Sequence, residues 1–74
     1  MPCVVKSGVK AHDDTCLQAE MNRQVAVAAA ANQAAVTAAE ITYYRAVKAS
    51  AVANGLSESV VECTNALRQL NATP

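Results

Sequence analysis

Between Thr15 and Asn54 the chain holds no glycine and no proline, and its small or apolar positions recur at helical spacing. Met21, Val25, Ala28, Asn32, Val36, Ala39, Tyr43, Val47, Ser50 and Asn54 follow steps of four, three, four, four, three, four, four, three and four. Steps of that kind keep one face of a helix. Val25, Val36 and Val47 stand eleven residues apart, a period that suits a straight or slightly right-handed bundle. Alanine dominates the stretch, and it is the best helix former because it loses no side-chain entropy. Asp13 and Asp14 offer an N-cap, with their charge at the positive end of the helix dipole. The pattern predicts one continuous helix over about residues 14–54, about 60 Å long.

Gly55 suits the left-handed residue that ends such a helix. Ser57 reads as the N-cap of a second helix, with Leu56 and Val61 at staple spacing and Glu58 in the first turn. Leu56, Val60, Cys63, Leu67 and Leu70 alternate steps of four and three, a packing seam. The second helix is expected over about residues 57–71 after a turn at 55–56, with "NATP" as a frayed tail. Residues 1–12 read as an extended arm, since Pro2 and Gly8 discourage helix. The predicted fold is all-α: an N-terminal arm (1–12) and an antiparallel helical hairpin (13–74). Folded back, the short helix covers about Glu40 to Asn54. Tyr43 and Val47 then join Leu56, Val60, Cys63, Leu67 and Leu70 in a hairpin core.

That hairpin leaves Val25 to Ala39 uncovered, and composition sharpens the problem. The 74-residue chain is 53% hydrophobic, but alanine supplies much of that figure and there is no Phe or Trp. A chain this short has little core and usually needs a staple or a partner. Its small residues permit close helix approach, so the predicted cover is the same helix of another chain. Met21, Val25, Ala28, Asn32, Val36 and Ala39 are the expected self-association interface of a multi-chain bundle. Asn32 would pair with its copy and fix the register. The arm, about 40 Å fully extended, would clasp a neighbour. Tyr44 and Arg45 are a candidate partner contact, since Tyr and Arg are enriched in hot spots.

Charge removes several options. Six basic and six acidic residues give a formal net charge of zero, with no basic stripe for nucleic acid. The longest uncharged stretch, Gln24 to Ala39, is too short to span a bilayer. The polar face lacks the Lys and Arg of a membrane-surface helix. The start "MPCVVKSGVKAHDD" has no basic end followed by an apolar core, so no secretory leader is expected. The expected location is the cytoplasm or the inside of an assembled particle.

Candidate chemistry centres on "HDDTC". His12 and Cys16 lie four apart and share a helix face. Cys3 could swing back to complete a zinc-like set with Asp13 or Asp14, although no C-x-x-C or H-x-x-x-H anchor is present. A Cys3–Cys16 disulfide would instead close the arm onto the helix start in an oxidising compartment. A Cys16–Cys63 bridge is excluded in a hairpin, which would hold the two about 45 Å apart by helix rise. Cys63 reads as a buried small apolar thiol. His12 is the sole histidine, in a segment expected to be flexible. No catalytic set, cofactor or small-molecule substrate is expected, and two helices form no pocket of useful size.

These features favour a non-enzymatic structural or assembly protein that self-associates through a small-residue stripe, as a subunit or cement-like component of a larger particle or filament. The alternatives are a regulatory module presenting a helix face to a different protein, and a redox- or metal-responsive protein using Cys3, His12 and Cys16.

Overall fold

A computed structural model describes residues 7–74. These residues are all-α, with three helices and no strand among them. Helix α1 spans Lys10–Ala28, α2 spans Gln33–Ala53 and α3 spans Ser57–Gln69. α2 lies in the middle, with α1 packed on one side and α3 on the other.

The expected continuous helix over 14–54 is therefore broken at Ala29–Asn32. Two effects outweigh alanine's helix propensity there. Asn32 takes an extended backbone, φ −159° and ψ 174°, and its side-chain oxygen accepts the Ala35 N–H at 2.9 Å. That bond satisfies one of the donors a helix start leaves free. Folding α1 back onto α2 also buries Cys16 and Ala19 on one helix and Ala39 on the other. A single rod would leave those surfaces in water. The longest dimension of the molecule is 36 Å, well short of the expected rod.

The first helix begins earlier than Asp13 and Asp14 suggest. Residues 10–12 of the expected arm are helical, and Val9 is the N-cap without a side-chain bond. Asp13 acts from the first turn, accepting the Ser7 N–H at 3.0 Å and the Ser7 hydroxyl at 2.9 Å. Lys10 pairs with Asp14 at 2.6 Å. The rest of the expected arm up to residue 6 lies outside the described residues.

The α2–α3 boundary follows ordinary capping physics. Gly55 sits at φ +68°. Its N–H donates to the Val52 carbonyl at 3.3 Å, and the Leu56 N–H donates to the Ala51 carbonyl at 2.9 Å. This is a Schellman motif, which satisfies carbonyls at the helix end. Ser57 is the first residue of α3 rather than its cap, and Leu56 precedes it with no side-chain cap bond. The C-terminal "NATP" is more ordered in its backbone bonding than a frayed tail. Asn71 takes φ 59°, and the Ala72 N–H donates to the Leu67 carbonyl at 2.9 Å.

The core sits where α2 meets both neighbours. Tyr43, Val47, Cys63 and Leu67 are buried together with Cys16, Ala19, Ala39 and Ala51. Leu56, Val60 and Leu70 are half-buried at its edge. Cys16 and Cys63 contribute to one apolar cluster, so the expected separation of about 45 Å falls with the unbroken helix. A Cys16–Cys63 bridge remains impossible for another reason. No residue pair of α1 and α3 brings its Cα atoms within 8 Å, beyond the roughly 7 Å that a disulfide allows.

Candidate functional site

His12 is where the structure departs furthest from a flexible segment. It is 1% exposed and ties the start of α1 to the end of α2. Its Nδ1 lies 2.9 Å from the Ser50 hydroxyl and its Nε2 lies 3.4 Å from the Cys16 sulfur. Cys16 is disulfide-bonded; Cys3, its candidate partner in the sequence, lies outside the described residues. A disulfide sulfur can only accept. Nε2 therefore carries the hydrogen, and Nδ1 accepts from Ser50. Asn54 completes the link by donating from Nδ2 to the Ser50 carbonyl at 2.8 Å. Both ring nitrogens are thus engaged inside the protein. Among the described residues no group of three His, Cys, Asp or Glu side chains is placed to hold a metal. Cys63 is a free thiol, and burial pushes it up to about 11, away from the thiolate that redox chemistry needs.

A second cluster surrounds Tyr43. The Arg23 guanidinium lies 5.8 Å from the centre of its ring, within cation–π range. Arg23 also pairs with Glu20, with Nε 3.2 Å from one carboxylate oxygen and Nη2 on the other. The guanidinium holds the Glu20 carboxyl below its ordinary range, and Glu20 raises Arg23 in turn. Tyr44, half-buried, meets Tyr43 edge-on with ring centres 5.1 Å apart. The Tyr43 hydroxyl is buried with no hydrogen-bond partner among the described residues. Burial is the main reason its phenol is pushed up to about 12. Arg45 is exposed, and its Nη2 donates to the Thr73 carbonyl at 3.4 Å.

The chain does form concave surfaces, contrary to the expectation from two helices. A groove of about 340 Å³ runs between α1 and α2, walled by alanines such as Ala26, Ala35 and Ala38, with Arg23 and Tyr43 among its lining residues. Among the described residues, no nucleophile, base and orienting group converge on it.

The expected self-association stripe is divided by the break. Ala39 is buried in the α1–α2 contact, Val36 is half-buried and Asn32 is spent on capping. Met21 and Val25 point the other way. Nine residues separate Met21 from His12, about 900° or a half-turn round the helix. With Leu17 they form a ridge at four-residue steps, 63%, 52% and 71% exposed for Leu17, Met21 and Val25. Ala28, also exposed, continues that face. The sequence also sets Leu17 in a poorer alternative stripe with Glu20, Gln24 and Ala31. Its four-residue spacing to Met21 was the signal that pointed to it.

No helix among the described residues is long and apolar enough to cross a membrane. No known protein family, curated protein or solved structure matches this chain.

Proposed function

We propose that this chain is a non-enzymatic assembly protein that associates with further copies of itself through the outer face of α1. The observation that supports this reading is the Leu17–Met21–Val25 ridge, apolar and turned away from α2. Fully burying a side chain of this kind is worth about 1.5–3 kcal/mol. The fold leaves that free energy unused on a chain whose own core is small. A subunit of a larger particle or filament needs such a surface; a self-sufficient monomer does not.

The test is solution mass by light scattering on a sizing column, with and without reductant. A multimer in both conditions is expected, with Leu17→Glu/Met21→Glu lowering its mass while the 7.7 kDa chain stays folded. A wild-type monomer at micromolar concentration overturns self-association and turns the ridge toward a different protein.

A redox-responsive role is a second reading, favoured by the disulfide-bonded Cys16 sulfur against His12. It predicts that reductant alone lowers the melting temperature and loosens α1 from α2. Identical melts with and without reductant would dismiss it.

A further inference from the structure

Two exposed valines elsewhere on the surface stand among charges of opposite sign. Val52 on α2, 61% exposed, flanks a shallow groove of about 460 Å³ that is also lined by Arg45, Lys48 and Leu67. Val61 on α3, 57% exposed, lies between Glu58 and Glu62 in sequence, on the same helix. The ion pairs among the described residues join Lys10 to Asp14 and Glu20 to Arg23. None of Arg45, Lys48, Glu58 and Glu62 takes part in one.

The two patches cannot neutralise each other within one chain. Leu67 lines the basic groove, so that side of α3 faces it. Glu62 precedes Leu67 by five residues and Glu58 precedes it by nine, which is about 140° and 180° round the helix. Leu67 is fully buried against α2, so the acidic face points away from α2. Resting on the self-association reading above, we propose that a second copy of this chain lays its Glu58–Val61–Glu62 face onto the Arg45–Lys48–Val52 groove.

The geometry sets the kind of contact. The contact joins two different patches, a groove lined mainly by α2 and the face of α3 turned away from α2. The contact is heterologous, and it propagates head to tail into a ring or a filament. Opposite charges set register and direction, while the two valines lose water at the centre. The zero net charge leaves no overall repulsion to overcome.

The experiment is sedimentation velocity on the full chain, with helicity followed by circular dichroism. Glu58→Lys/Glu62→Lys and, separately, Arg45→Glu/Lys48→Glu should each weaken association about tenfold or more, because attraction becomes like-charge repulsion. The variant carrying all four changes has both faces reversed and the net charge back at zero, so it should regain association with itself. Wild-type association should also weaken in high salt. Where a reversed variant loses helicity, Glu58→Gln/Glu62→Gln gives the same readout with a smaller loss, about threefold. Either reversed variant associating as tightly as wild type overturns the contact, as does a folded fourfold variant that associates no better than the two reversed variants. If association survives every charge change but is lost in Leu17→Glu/Met21→Glu, this contact is wrong and the assembly reading stands. If the wild type never associates, both fall.

Discussion

Toward α3, helix α2 offers Tyr43 and Val47, which are buried with Cys63 and Leu67. Toward α1 it offers Ala39 and Ser50, which meet a face built from His12, Cys16, Ala19 and Arg23. The first contact is held by apolar volume. The second is held by close approach of small side chains and by one buried polar link. Apolar volume is tolerant in direction but sensitive to loss, since deleting a buried Leu leaves a cavity. A small-residue contact reverses that sensitivity: there is little to delete, and enlargement directed at the other helix rather than into the adjoining groove intrudes. The same helix thus carries one seam broken by subtraction and another broken by addition.

Leu67→Ala tests the subtraction side and has the largest expected effect. It should cost about 2–5 kcal/mol, enough to unfold much of a domain this small, as read by thermal melting. Ala39→Leu tests the addition side. It should cost about 1–3 kcal/mol and release α1 while the α2–α3 contact persists, seen as amide exchange rising in α1 alone. Equal exchange in all three helices would show that the seams are a single cooperative unit. Asn32→Ala removes the cap of α2 and should cost about 1 kcal/mol, measured by chemical denaturation.

The smallest effect sharpens the role of Tyr43, which belongs to both seams. Its hydroxyl has no partner to lose, so Tyr43→Phe should change stability by less than about 1 kcal/mol at neutral pH. Alkali separates the two residues. The Cys63 thiol rises from 9.0 to about 11 and the Tyr43 phenol from 10.0 to about 12, both chiefly through burial. Both are acids kept neutral by the fold. Their contribution is complete below the ordinary values and is lost as pH rises through the raised ones. The melting temperature should therefore fall between about pH 9 and 12. Cys63→Ala blunts the lower part of that fall, and Tyr43→Phe the upper part.

Much of the α2–α3 half was legible in the sequence. Gly55 marks a helix end by its left-handed backbone, and the heptad-like spacing of Val60, Cys63 and Leu67 marks a packing face. The α1–α2 half was not legible, because Ala29–Ala31 contains no breaker and an asparagine serves equally as a core residue or a cap. What decides between them is burial of Ala19 against α2, a contact distant in sequence. His12 was misread for a related reason. Placing the helix start at Asp13 rather than at Lys10 moved the histidine out of the helix, and with it out of the interior. The charged faces of α2 and α3 were visible as residues, but where each faces depends on how α3 packs.

Nothing between Ala28 and Gln33 forbids helix; the bend is held by an asparagine side chain and by what α1 gains from lying down. Opened there, α1 would swing out and leave the face of α2 it had covered intact. The α1 of a second chain would meet on that vacated face the same residues as the first. Two chains trading this helix would interlock through contacts the single chain already makes, by a hinge only a few alanines long.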